Sequence, residues 1–259
     1  MMGLIPMRDI HPAGQAGQDT SRQASWRAFI LPWLLLAGSW GLLGLAFLTG
    51  RNSWLDHDYL IRSSHWPWLL SLLVFLTGWQ VMLLAMMLPA LFRQLLSLAH
   101  HLSRYWSTQA LFIAGYAASW TMFACAAFVG DTLLHNLVNQ WRWLYLHPLW
   151  ITALLFLLAG IFQWSPIKWH CLLHTRCYEQ NTTVPPWRRG YRYGLWCVSS
   201  NWALMLLMVG VGMRNLLALA ILALVMWLER ELPQGKMLSC CAGSACLLYA
   251  LLILSLPLF

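Results

Sequence analysis

The stretch that decides the fold is WLLSLLVFLTGWQVMLLAMMLPALF, residues 68–92. It passes without one Asp, Glu, Lys, Arg or His. About 20 predominantly apolar residues suffice for a helix to cross the hydrocarbon core of a bilayer. Backbone N–H and C=O groups find no water there, so the segment must satisfy them within itself, as a helix. The same ruler laid along the chain gives seven segments, at 28–49, 68–92, 109–130, 148–166, 194–212, 215–228 and 237–258. A membrane β-barrel needs alternating runs of about ten residues, and the sequence shows none. The expected fold class is therefore all-α: a polytopic membrane helix bundle of about seven transmembrane helices. Residues 28–259 form its single domain, behind a polar, disordered tail at 1–27 that carries Pro6, Pro12, Gly14 and Gly17. The first apolar run exceeds the 7–15 residues of a signal-peptide core and reads as a retained span.

Composition agrees. Only 9% of the 259 residues are charged, against about 25% in a soluble domain. Eighteen tryptophans suit the bilayer interface. The formal charge of +8 does not mark a nucleic-acid binder, because the basic residues are scattered between apolar runs and form no patch. The positional rule for membrane loops accounts for them. With the N-terminus inside, twelve Lys/Arg fall inside: Arg8, Arg22, Arg27, Arg93, Arg104, Lys168, Arg176, Arg188, Arg189, Arg192, Arg230 and Lys236. Four, Arg51, Arg62, Arg142 and Arg214, fall outside. The expected orientation is N-inside and C-outside, in a bacterial cytoplasmic (inner) membrane.

Chemistry is sparse. The segments carry no ionisable proton-relay residue, and all nine His lie in loops or at segment ends, which argues against a carboxylate relay and against a haem held at mid-membrane. No nucleotide site is expected. There is no CxxC, and no Ser-His-Asp or Cys-His context is recognisable, so the chain is not expected to be an enzyme. Cys125, Cys240, Cys241 and Cys246 sit inside apolar runs as small packing residues.

What the spans do hold is soft sulfur. At 100° per residue Trp79, Met82, Met86 and Pro89 fall within about 80° of arc on one face, with Met87 pointing elsewhere. Cys197, Asn201, Met205, Met208 and Gly212 share a stripe in the fifth segment by the same geometry. Thiolate and thioether ligands select Cu(I) among common metals. Methionine is also ordinary core filler, and small residues with an Asn also glue membrane helices. Both readings stand at this point. If the two stripes belong to one site or one seam, the second and fifth segments pack together. The longest loop, 167–193, is where chemistry can meet water. If helical, it places His170 and His174 at i and i+4, and Cys171 and His174 at i and i+3, ligand pairs on one turn.

Several motifs in order carry a resemblance. They are Trp79-x-x-Met82-x-x-Ala85-Met86-Met87-Leu88-Pro89, Gly115-Tyr116-x-x-x-Trp120-x-x-Phe123, and Ala159-Gly160-x-Phe162-Gln163-x-Ser165-Pro166-x-Lys168-x-x-Cys171-Leu172. Gly190-x-x-x-Gly194-x-x-Cys197, Trp202-Ala203-Leu204-Met205, Gly212-Met213 and Glu229 continue the series. Over most of 70–233 the chain resembles the family of predicted metal-binding integral membrane proteins known as domain of unknown function 2182. The resemblance implies metal binding, with copper as the metal, and brings no reaction with it. The family's loop usually reads Cys-Leu-x-x-Cys-Arg and its fifth span Cys-x-Gly-Cys-Cys-Trp. Here Thr175, Ser200 and Asn201 stand where relatives tend to have thiols, leaving Cys171, Cys197 and Cys177.

The leading expectation is Cu(I) handling, delivery or insertion, with Met82, Met86, Cys171, His174, Cys197 and Met205 as ligands. Trp79, Met87, Pro89, Tyr116, Trp120, Asn201, Trp202 and Gly212 form the helix-packing motif. Expected partners are the lipid bilayer and another membrane or copper-trafficking protein. The rival is a non-catalytic assembly subunit that binds no metal. A third class is a transporter of an uncharged or lipidic solute. Reporter fusions at the two termini are expected to read opposite sides of the membrane; the same side for both makes the span count even, with 215–228 the segment to remove.

Overall fold

The computed structural model describes residues 13–50, 67–99, 105–141, 148–178, 183–211 and 215–255. These form eight helices and no strand: α1 Ala13–Leu48, α2 Trp68–Ala99, α3 Tyr105–Gln140, α4 Pro148–Trp164, α5 Pro166–Arg176, α6 Pro186–Val211, α7 Leu216–Glu231 and α8 Gly235–Ser255. Residues 1–12 of the expected tail lie outside the described residues, and α1 begins at Ala13. Five helices are long and apolar enough to cross a membrane, within α1, α2, α3, α6 and α8. The segment expected at 148–166 reaches that length only if α4 and α5 are counted as one span bent by 64°. The segment expected at 215–228 is α7, whose 16 residues extend roughly 24 Å at 1.5 Å per residue, short of a hydrocarbon core of about 30 Å. The exterior is apolar: Leu34, Leu154 and Leu217 are each more than three-fifths exposed.

Local sequence explains the breaks. Ser165 is extended and caps α5, its hydroxyl accepting from the Ile167 N–H at 3.2 Å. Pro166 follows at the first position of α5, where a missing N–H costs nothing and where the ring disfavours continuing α4 through Ser165. Pro89 does the opposite, sitting inside α2. A proline there cannot bond the carbonyl four residues back. That carbonyl belongs to Ala85, and the Trp40 indole of α1 donates to it at 3.0 Å. The orphaned acceptor of one helix thus fixes the neighbour.

The two sulfur stripes are both buried, with Trp79, Met82, Met86, Cys197, Asn201 and Met205 each at 2% exposure or less. Met87, expected to point elsewhere, is buried too. Met82, Met86, Met87, Cys197, Met205 and Met208 join one core cluster with Tyr116 and Trp120. Trp202 is half-buried and packs edge-on to Phe162, while Gly212 lies outside the described residues. The expected direct packing of the second segment on the fifth is corrected, because α2 and α6 are not a principal helix pair. Instead α3 and α7 each pack on both. The physical reason lies in α3 and α6, where glycine removes the side chain at the crossing. A Cβ built on Gly190 falls on the Phe112 carbonyl, 2.8 Å from its carbon, and one on Gly115 meets the Trp187 carbonyl, 2.9 Å from its carbon. Only hydrogen fits between these backbones, so α3 and α6 seat against each other more closely than α2 can approach.

Gly190→Ala is therefore expected to destabilise the protein by about 1–3 kcal/mol or more, since the new methyl meets backbone that cannot swing aside. Gly38→Ala, with no atom within 4 Å of the new Cβ, serves as control and leaves stability unchanged or raised. Thermal unfolding in detergent measures both.

Candidate functional site

Cys197 lies on α6, fully buried. Its Sγ receives Arg230 Nη2 at 3.0 Å from α7, and lies 3.2 Å from the Tyr116 hydroxyl of α3 and 3.7 Å from Asn201 Nδ2 on its own helix. Three helices thus converge polar groups on one sulfur. The second Arg230 nitrogen donates to Tyr193 at 3.3 Å, and the guanidinium lies over that ring, 5.7 Å from its centroid. Arg230 is 2% exposed, and among the described residues no carboxylate pairs with it. A buried guanidinium without a carboxylate lends its positive potential to whatever soft acceptor it touches, and here that is Cys197. Ser200 and Asn201 both donate to the Cys197 carbonyl at 3.0 Å. Tyr178 closes the set, donating to the Arg189 carbonyl at 3.2 Å and standing edge-on to Tyr193. Burial pushes the Tyr178 phenol up, so it stays a neutral donor.

A second buried network holds Arg230 in place. Lys168 Nζ meets Glu229 Oε2 at 2.6 Å, with the two side chains 2% and 0% exposed. Lys168 also bonds Gln163 Oε1, and Gln163 Nε2 donates to Glu229 Oε1 at 3.0 Å. Ser239 donates to the Gln163 carbonyl at 2.9 Å. Arg176 reaches the carbonyls of Glu229 and Leu232. The break between α4 and α5 is thereby bolted to the turn between α7 and α8. Arg93 and Glu231, 3.7 Å apart, place the end of α2 on the same side. The basic residues of the described inside-assigned loops therefore gather at one end of the bundle. The four assigned outside lie outside the described residues.

The expected ligands divide. Met82, Met86, Cys197 and Met205 share the central cluster. Cys171 and His174 sit apart from it on α5, Cys171 buried and His174 exposed. His174 packs on Trp196 and faces His170. Among the described residues no three His, Cys, Asp or Glu side chains come together as a metal site. Thr175 is buried and donates to the Leu172 carbonyl at 2.8 Å, as a helix residue and not as a ligand.

Sequence reasoning missed Arg230 as a partner of Cys197, and Tyr193 as the hydroxyl that accepts from Arg230. It also placed Lys168 in the loop that meets water, whereas Lys168 and Glu229 are both buried. One signal for the pair existed: a Lys and a Glu, each beside a long apolar run in a chain with few charges, need each other if both enter the core.

Fold and site together define an all-helical bundle with membrane-length helices and one polarised thiol among buried thioethers. The sequence profile of the family described as PpoB2, copper chaperone, matches residues 76–253, from within α2 to within α8, and the chain belongs to that family. No curated protein and no solved structure matches the chain.

Removing one charge of the buried pair leaves the other unpaired, at a cost of about 3–5 kcal/mol. Glu229→Gln is expected to lose that amount, and Lys168→Met with Glu229→Met together much less than the sum of the single changes. A double-mutant cycle by denaturant unfolding in micelles measures the coupling.

Proposed function

We propose that this protein handles Cu(I) in the membrane and passes it to another membrane or copper-trafficking protein, without catalysing a reaction. The observation that carries the reading is the copper-chaperone family match across 76–253, which includes the whole Cys197 site. The chemistry of that site supports it. Cysteine ligates metal as thiolate, and soft sulfur selects Cu(I). Cys197 accepts from the Arg230 guanidinium and shares a hydrogen bond with the Tyr116 hydroxyl, and Met82, Met86 and Met205 lie in the same buried cluster. Cu(I) tolerates two or three ligands, where structural zinc wants four held tetrahedrally. Copper enters at Cys197 only if the Arg230 guanidinium moves off the sulfur, which makes the site one for holding and releasing cargo and not for permanent storage. The resemblance to predicted metal-binding integral membrane proteins points the same way. The apolar exterior and the basic end of the bundle support a helix bundle seated in a bacterial inner membrane with that end in the cytoplasm, where its cysteines stay reduced.

The rival reading, an assembly subunit without metal, draws on one observation: among the described residues no three His, Cys, Asp or Glu side chains come together as a metal site. Elemental analysis of detergent-purified protein before and after Cu(I) loading separates the two. Wild type is expected to take up sub-stoichiometric, easily removed copper and no tightly held zinc. Cys197→Ser is expected to lose most of that uptake, and Cys171→Ser to keep it. Stoichiometric zinc as isolated overturns the ligand argument. Equal, negligible copper in wild type and Cys197→Ser favours the assembly subunit.

A further inference from the structure

Helix α5 has one face fully committed to the bundle. Lys168, Cys171, Leu172 and Thr175 are buried on it, Lys168 is tied to Glu229, and Arg176 bonds the carbonyls of α7 and the following turn. The helix can neither roll nor slide without breaking the buried ion pair. Its opposite face carries His170 and His174, both exposed, one turn apart. Their Nε2 atoms lie 3.1 Å from each other, with the rings at 79°. The His174 ring lies flat on Trp196 of α6, 4.3 Å between centroids and 16° between planes. An indole platform from a second helix therefore fixes one imidazole, and the other turns its ring nitrogen onto it.

We propose that His170 and His174 form a two-imidazole chelate for a divalent transition-metal ion, for which Cu(II) serves as the probe. Metal–nitrogen bonds are about 2.0–2.1 Å. Two such bonds to nitrogens 3.1 Å apart subtend an angle of roughly 100°, the angle of neighbouring corners in tetragonal coordination. A linear two-coordinate Cu(I) needs the nitrogens about 4 Å apart, well beyond their observed separation. Imidazole suits copper, nickel and zinc, and Cu(II) heads the stability order of the divalent ions. Water completes the remaining positions, since both rings are exposed. In the metal-free protein one Nε2 donates its hydrogen to the other's lone pair. On binding, the donor ring carries its proton on Nδ1 instead and both Nε2 lone pairs face the metal. No net proton is released from a neutral pair, and no electron is transferred.

This site shares no residue with the sulfur cluster and does not depend on copper handling there. It differs in kind: exposed nitrogen for a divalent ion, against buried sulfur for Cu(I). Electron paramagnetic resonance with sub-stoichiometric Cu(II), on the full chain in detergent with any affinity tag removed, tests it. Wild type and Cys197→Ser are both expected to give a tetragonal spectrum with hyperfine structure from two equatorial nitrogens. His170→Asn and His174→Asn are each expected to weaken Cu(II) binding about tenfold or more and to remove that signature, with unchanged thermal unfolding, because neither side chain is buried. Trp196→Leu is expected to weaken binding less, by loosening one ring. A two-nitrogen spectrum that survives in the His170→Asn, His174→Asn double variant overturns the proposal, as does a wild-type spectrum without two nitrogens. Loss of Cu(I) uptake in Cys197→Ser with Cu(II) binding intact separates this site from the buried one.

Discussion

The buried ion pair between Lys168 and Glu229 is the contact on which both sites depend. Two charges withdrawn from water cost several kcal/mol each before their attraction is counted. The protein offsets this with Gln163, which bonds both partners, while Ser239 holds Gln163 by its carbonyl. Such a network tolerates little displacement. Glu229 precedes Arg230 directly, so the pair that anchors one residue also aims the next at Cys197. Lys168 lies on the face of α5 opposite His170 and His174, so the same pair turns the two imidazoles outward over Trp196.

Close backbone approach and relocated hydrogen bonds complete the frame. Gly115 and Gly190 let α3 and α6 touch along their carbonyls, which brings Tyr116 within reach of Cys197. Pro89 frees the Ala85 carbonyl for Trp40 and so ties α1 to α2. These devices suit a bundle in lipid. The hydrophobic effect gives little drive for one apolar helix to choose another there, and choice falls to shape and to polar contacts. The direct pairing of α2 with α6, attractive from their matching sulfur stripes, loses to the closer fit of α3.

The protein separates its sulfur from its imidazoles by depth. Thioethers and the Cys197 thiol occupy the buried centre. The imidazoles of His170 and His174 stay at the surface, in reach of water. Arg230 joins the frame to the centre, because among the described residues its side chain meets the Cys197 sulfur and the Tyr193 hydroxyl and no carboxylate.

Much of this protein is legible in the residues alone. Uncharged runs such as 68–92 dictate helices, since hydrocarbon leaves backbone groups no other partner, and Pro166 after Ser165 marks a break. The spacing of Met82 and Met86, and of Cys197 and Met205, puts each set on one helical face, and each set is buried. The i, i+4 spacing of His170 and His174 already places their rings together. Which helices touch was not legible, because a glycine's neighbour belongs to another segment of the chain. Nor was the burial of Lys168 and Glu229, 61 residues apart in sequence. A charge beside an apolar run reads as a loop residue until its partner is found. That Arg230 lies on Cys197, and Trp196 under His174, follows from how α5, α6 and α7 cross. Crossing is set by side-chain shape and paired charge between segments, which periodicity within one segment does not record.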